Sequence, residues 1–320
     1  MAKPYLFGDT LDDLMRSVID EIREQGEHVC TSKGLTSEIT GVLLELTNPR
    51  ARLSKTESRG KLFSCLGQTC WYLAKSNDLA FILHYLKHYK EDADGDLIFG
   101  GYGPRLFNWG GLNQIANVIK LLKARNTTRQ AVVQLFDAND IAAAHKEIPC
   151  TCTLQFMVRH KKLHMFTSMR SNDVLWGLPH DFFFFTILQE IIARDLGIEI
   201  GSYKHAVGSL HLYEDKTVDV KSFIEEGWQS TKESMTPMPQ GDPWPSISIL
   251  LEAESSIRIT GECDESVLDT IDPYWADLVR LLQVYAHKKG KNSKGILQVR
   301  EKISSPLYLP FIDKALEDLR

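Results

Sequence analysis

The chain has 320 residues, 43% of them hydrophobic, enough to bury a sizeable core in one large domain or two modest ones. Its formal net charge of -5 argues against a general nucleic-acid binder, because holding a phosphate backbone needs a clear basic excess. No apolar run approaches a membrane span, the start Met-Ala-Lys-Pro-Tyr lacks the apolar core of a secretory signal, and six cysteines do not form a disulfide framework, so a cytoplasmic, reduced protein is expected.

Leu11, Leu14, Val18, Ile19 and Ile22 recur at helical spacing and predict a helix over 10–26, stopped at Gly26. Thr40 to Leu46 reads as a strand ended by Asn48-Pro49, and Arg50, Arg52 and Arg59 follow in a polar loop. Helices are predicted from Lys61 to Leu73 and from Asp78 to Tyr89. An acidic turn, Glu91 to Gly95, precedes Gly100-Gly101-Tyr102-Gly103-Pro104, a Gly-rich turn without the Gly/Lys pattern of a phosphate loop. Leu112 to Leu122 is helical, and Arg125-Asn126-Thr127-Thr128-Arg129 leads into a strand from Ala131 to Phe136.

The stretch from Ile148 to Asp181 carries the chemistry. Pro149-Cys150 opens an alternating strand, Thr153 to Val158, which returns through Met165 to Arg170-Ser171-Asn172-Asp173. Gly177-Leu178-Pro179-His180-Asp181 then starts a strongly apolar run from Phe182, continued as a buried helix over 187–196 with Gly197 as its stop. A thiol, an arginine–serine pair and two carboxylates supply a nucleophile, an anion clamp and acid/base groups. Covalent chemistry on a phosphorylated heterocycle needs these three things. A lone strand cysteine reads better as core; Pro149 and the spaced Arg-Ser-x-Asp tip Cys150 toward catalysis. Cys152 follows too closely for a metal knuckle and is assigned to the core. No metal is expected.

Tyr203 to Tyr213 reads as a strand with His211 and Tyr213 on one face. Residues 234–245 form a Pro/Gly-rich loop, and Ile247 to Ala253 reads as a last strand. From Asp272 the pattern is helical, with Lys288 to Lys294 as a basic loop. Strands and helices mix without strict βαβ alternation, so an α+β fold is expected.

The ordered set Tyr102-Gly103, Thr128-Arg129, Pro149-Cys150, Gln155-Phe156, Arg170-Ser171-Asn172-Asp173, Gly177-Leu178-Pro179 and Gly208-Ser209-Leu210-His211-Leu212-Tyr213 resembles the thymidylate synthase superfamily. The resemblance covers residues 10–255 and is weakest before residue 60. It implies a large mixed sheet with flanking helices, and a homodimer with the sheets back to back. It also implies a pyrimidine nucleotide 5′-monophosphate as substrate and 5,10-methylenetetrahydrofolate as one-carbon donor. Cys150 would add to C6 of the base. Arg170 and Ser171 would hold the phosphate, and Arg129 would reach the phosphate in the other subunit's site. His211 and Tyr213 would hold the sugar, Asp173 the pterin, and Tyr102 would help move the C5 proton. Trp71 would be core, beside the folate. Residues 1–262 would form the catalytic domain and 263–320 a helical extension packed on it.

The departures from the family pattern are informative. Asp181 stands where the synthases carry Asn and where the cytidylate hydroxymethylases carry Asp. An ionised carboxylate only accepts hydrogen bonds, so it would oppose O4 of uracil. It can accept from N4 of cytosine, while a proton shared with N3 completes the pair. Water would then add at an exocyclic C5 methylene, and tetrahydrofolate would be released. A helix-capping role for Asp181 is the bland alternative. His180, in place of a family Phe, is a candidate base for that water. Gln68 replaces a proton-relaying Glu. Gln130, Thr151 and Ser209 replace an Arg, a His and an Asp, so Lys33 or Arg50 would make up phosphate charge. The family's tail closes over the folate through its terminal carboxylate, a closure not expected of Arg320. The expected function is (deoxy)cytidylate 5-hydroxymethylation. The alternatives are C5-methylation of a pyrimidine nucleotide and a non-catalytic nucleotide-binding homologue.

Overall fold

A computed structural model describes residues 2–320. Its seven strands are β1 (Tyr5–Gly8), β2 (Glu27–Thr31), β3 (Gly34–Leu46), β4 (Val132–Gln134), β5 (Thr151–Arg159), β6 (Lys162–Asp173) and β7 (Glu199–Tyr213). They form one sheet in the order β1-β3-β7-β6-β5-β4, with β2 paired to β3 off that path. The β1–β3 and β6–β7 pairs are parallel and the others antiparallel, so the sheet is mixed.

Along β6 the odd positions Leu163, Met165, Thr167 and Met169 are buried, while His164, Phe166 and Ser168 are only half-buried. This period of two marks a sheet with one covered face. The cover is α1 (Leu11–Gln25), α2 (Leu62–Leu73) and α6 (Gly177–Asp195), with α3 (Leu79–Leu83), α4 (Tyr102–Phe107) and α5 (Gln114–Ala124) at the rim. α1 is amphipathic, and the Thr10 hydroxyl caps it by accepting from Asp13 N at 3.1 Å. α6 is apolar all round because it lies between the sheet and α2, so Phe182 to Leu188 is buried without a break.

The other face has no cover within one chain. One row across it reads Val132, Gln155, Phe166, Lys204, Glu45 and Phe7, each opposite the next. Phe7 is 61% exposed and Val132 46%.

After β7 come α7 (Thr217–Glu225), α8 (Trp244–Thr260), α9 (Glu265–Leu268), α10 (Pro273–Lys289), α11 (Ser293–Arg300) and α12 (Leu309–Glu317). α10 packs on α8 and on α2, so the C-terminal helices reach the back of a helix whose front faces the site.

Several predicted elements are corrected. Ile247 to Ala253 lies within α8: Ile247, Leu250, Glu254 and Ile257 share its buried stripe, a helical period that a short apolar run does not reveal. The helix expected over 78–89 shrinks to α3 and a single 3-10 turn, Lys87–Lys90. β1, β2 and α7 were not anticipated, and β3 begins at Gly34, well before Thr40.

Candidate active site

A cavity of about 780 Å³ opens where β5, β6 and β7 meet the N-terminal ends of α4 and α6. Its lining includes Lys33, Gln68, Trp71, Tyr102, Cys150, Arg170, Ser171, Asp173, His180, Asp181, His211 and Tyr213. These residues come from seven separate segments of chain. Arg129 is not among them. It is exposed on the approach to β4, and only its carbonyl is engaged, by Gln155 Nε2 at 2.9 Å.

Cys150 sits just before β5. Burial pushes its thiol up to about 12, although the Arg170 guanidinium pulls the other way. Arg170, on β6, donates to Pro149 O at 3.1 Å and to Ile148 O at 3.0 Å, so the cation clasps the segment that carries the thiol. Its Nη2 also lies 3.0 Å from Glu147 Oε1, and the same carboxylate oxygen accepts from the Cys150 thiol at 3.8 Å. The other Glu147 oxygen takes Lys33 Nζ at 2.5 Å, while Asp92 holds Lys33 from the far side at 3.0 Å. The two cations on this wall of the cavity are therefore bound to internal carboxylates.

Tyr102 OH accepts from Thr151 N at 3.2 Å and is 2.9 Å from Thr151 Oγ1, which pins the phenol beside the start of β5. Gln68 Nε2 donates to Tyr72 OH at 3.0 Å and Tyr89 OH at 2.7 Å. Trp71 is fully buried; its indole N–H donates to Asp78 O at 3.0 Å. Ser209 hydrogen-bonds Glu38, so its hydroxyl is already engaged. Asp173 receives Trp176 N on Oδ1, whereas its Oδ2 is buried with no partner.

Asp181 lies within α6, one turn past the start at Gly177, so it does not cap that helix. Burial pushes its carboxyl up to about 7, opposed only by a hydrogen bond from Asn172.

Two expectations fail here. His180 is no free base: its Nδ1 is 2.8 Å from Trp176 O and its Nε2 is 2.9 Å from Ser64 Oγ. Burial also lowers its pKa to about 4. It is a neutral strut between α6 and α2. Arg50 supplies no phosphate charge either, since it is bound to Glu190 at 2.7 Å and Glu199 at 3.0 Å, away from the cavity. Arg320 is not part of the lining, and neither is the half-buried Cys152.

The arrangement is a thiol, two cations held by carboxylates and a carboxyl whose pKa burial raises to about 7, all around one cavity. The family model for thymidylate synthase matches residues 11–237. The chain belongs to the thymidylate synthase family. Among its relatives are three proteins named deoxyuridylate hydroxymethyltransferase. The one from Bacillus phage SP01 is 30% identical over 65% of this chain and 58% of its own length. The one from Pseudomonas phage M6 is 27% identical over 72% of this chain and 68% of its own. The one from Delftia phage PhiW-14 is 29% identical over 63% of this chain and 61% of its own. The chain thus spans roughly three fifths of the length of these relatives.

Of the lining residues, Glu147, Asp92 and Asn172 were given no role from the sequence. Glu147 stands three residues before Cys150, and Asn172 lies within the Arg170-Ser171-Asn172-Asp173 stretch. Asp92 lay only in an acidic turn, because its contact with Lys33 joins distant segments. Among the described residues no group of His, Cys, Asp and Glu is arranged to hold a metal, and no helix is long and apolar enough to cross a membrane.

Proposed function

We propose that this protein is a folate-dependent one-carbon transferase that hydroxymethylates C5 of a cytosine nucleotide 5′-monophosphate, CMP or dCMP. The observation that carries this reading is the Asp181 carboxyl, set in the cavity and held near pH 7. Its protonated form offers one O–H and one C=O. Facing cytosine, the O–H donates to N3 and the C=O accepts from the N4 amino group. N3 of cytosine is basic enough to take that proton, and its charge makes C6 a better target for the thiol. Turned over, the same acid pairs with O4 and N3–H of uracil, but O4 is far less basic and gains less. A deoxyuridylate substrate is the second reading, favoured by the names of the three relatives.

In this reading Cys150 adds to C6, and its elimination at the end restores the aromatic ring. The resting thiol is almost wholly protonated, so its proton leaves only when Arg170 and a bound base share the charge. Arg170, Ser171 and Lys33 hold the phosphate, with Arg129 supplied by a second copy. The bare sheet face supports such a homodimer, since Phe7, Phe166 and Val132 lie in one row on it. His211 and Tyr213 hold the sugar, and Tyr102 stands at the base.

The residues present fit a reduced folate. The unpartnered Oδ2 of Asp173 can accept an N–H of the pterin ring, and Trp71 and Trp176 both line the cavity. The folate supplies a one-carbon unit at the formaldehyde level. Gln68 cannot titrate, but with the hydroxyls of Tyr72 and Tyr89 it can hold water in place.

One incubation tests the reading. CMP, dCMP, UMP and dUMP are each mixed with 5,10-methylenetetrahydrofolate and followed by mass spectrometry. A gain of CH₂O on a cytosine nucleotide, without dihydrofolate, is expected. A gain of CH₂ with dihydrofolate identifies a methyltransferase instead, and binding without C5 proton exchange identifies a non-catalytic homologue. Asp181→Asn should lower kcat/KM on the cytosine nucleotide and raise it on the uracil nucleotide. The combined change should be on the order of a hundredfold, two polar contacts at about 1–3 kcal/mol each. Equal losses on both bases would remove Asp181 from base recognition.

A further inference from the structure

The C-terminal helices close a second cavity, of about 780 Å³, against the start of α2. Its lining shares no residue with that of the active-site cavity. Lys61 and Phe63 from the start of α2 line it together with Lys288 of α10 and with Phe311 and Lys314 of α12. These parts meet closely: a Cβ on Gly60 would lie 2.8 Å from the Phe311 ring. The size is that of a small-molecule site, roughly 300–1,000 Å³.

Five lysines line this cavity against three carboxylates. Lys288 is paired with Asp318 at 2.6 Å, Lys314 with Glu57 at 3.3 Å and Lys55 with Glu233 at 3.9 Å. All three carboxylates are exposed, so a multiply charged ligand displaces them at small cost. Among the described residues no carboxylate pairs with the other two lysines, Lys61 and Lys232. The helix α2 begins with no side-chain cap, so its first N–H groups also favour an anion. The lining adds flat apolar surface. The rings of Phe63 and Tyr285 lie 6.1 Å apart, and Phe311 is a third ring.

We propose that this second cavity binds a nucleoside triphosphate: the lysines and the start of α2 take the phosphates, and the rings take the base. A single phosphate would leave most of the five cations unused, whereas a chain of three engages them. The wall between the cavities carries the occupancy to the active site. Nδ1 of His180 is 2.8 Å from the Trp176 carbonyl, which only accepts, so Nδ1 carries the imidazole proton. Nε2 then accepts from the Ser64 hydroxyl at 2.9 Å. His180 lines the active site and Ser64 the second cavity. Lys61 bridges the same wall, 5.7 Å from the ring centroid of Trp176, which lines the active site. Ser64 has one hydroxyl proton, which the Lys61 carbonyl at 3.1 Å also attracts. A phosphate at the start of α2 draws that proton and the Lys61 ammonium toward itself, and His180 and Trp176 lose their partners. Nucleotide binding in the active site is then weakened, and linkage makes the effect mutual.

The inference goes beyond the proposed reaction and needs only that the active site take a nucleotide monophosphate. The full chain is saturated with CMP, or with dUMP where that is the tighter ligand, and CTP is titrated in by calorimetry. One further equivalent should bind. Lys61→Ala and Lys314→Ala should each weaken it about tenfold, the loss of one charge-assisted contact. Inorganic tripolyphosphate, which lacks the base, should bind more weakly than CTP. In the reverse titration CTP should weaken the monophosphate about fivefold, and Ser64→Ala should reduce that coupling while still binding CTP. No second equivalent, or one that neither lysine affects, overturns the site. CTP displaced by added tetrahydrofolate makes the cavity part of the folate site and overturns a separate ligand. Tripolyphosphate bound as tightly as CTP overturns the nucleotide. A second equivalent that leaves the affinity of the monophosphate unchanged supports the site and overturns its link to the first cavity.

Discussion

The carboxylate of Glu147 lies 3.0 Å from the guanidinium of Arg170, the cation that also clasps the backbone around Cys150. With Lys33 on its other oxygen, Glu147 satisfies two cations of one wall, as a bound phosphate would. A phosphate bound at these two cations would have to displace it. Glu147→Gln keeps the size and removes the competing charge. Inorganic phosphate and CMP should each bind about tenfold tighter by calorimetry, because partly exposed ion pairs of this kind are worth about 1 kcal/mol. Cytidine, which lacks the phosphate, should bind unchanged. Weaker phosphate binding would mean that Glu147 holds Arg170 in its working position.

Cys150→Ser is expected to abolish C5 tritium release and product formation while leaving the fold intact by circular dichroism. The side chain is small, and the site stands at the edge of the sheet, before β5 begins. Cys152→Ser, outside the cavity, should cost only packing. Turnover by the Cys150 variant would remove the thiol from the mechanism.

Arg129 is expected to act in the site of a second copy. Arg129→Ala and Cys150→Ser should each be inactive alone, and a mixture of the two should recover activity. One of its sites then draws thiol and arginine from intact chains. If verified subunit exchange never restores turnover, Arg129 works within its own chain or not at all.

Asp181 also sets a pH dependence of stability. Its folded pKa of about 7 lies above the range of a free carboxyl, so folding favours the protonated acid. That contribution is complete below pH about 4 and is lost as the pH rises through about 7. Asp181→Asn does not titrate. The variant should therefore gain on the wild type by about 1–2 kcal/mol between pH 4 and pH 8, a figure reduced because the carboxyl lines an open cavity. Chemical denaturation at the two pH values measures the difference. A constant difference between the two proteins would place the titrating group elsewhere.

The parts of the site legible in the sequence were those whose chemistry is local. Pro149-Cys150 and Arg170-Ser171 keep their meaning because adjacent strands carry them to one rim. Phe182 to Leu188 announced a buried helix, since only full burial explains apolar residues on every side. His180 misled because neighbours on a helix point about 100° apart. Both line the cavity, but the two ring nitrogens of His180 end on Trp176 O and on Ser64 of α2. Arg50 misled because its partner, Glu190, is distant in sequence and buried in the C-terminal half of α6. The pairing of Asn172 with His205 depends on the parallel register of β6 and β7, which sets Thr167 opposite His205. Such a register is written in no short stretch of sequence.

Burial and Glu147 together bear on chemical wear. Burial pushes the Cys150 thiol up to about 12, so at pH 7 it rests protonated, and peroxides attack the thiolate. The exposed thiol, Cys30 on β2, meets oxidants first. On the proposed mechanism the Cys150 thiol is therefore spared while the protein rests, and is open to oxidants only while a bound nucleotide helps draw off its proton.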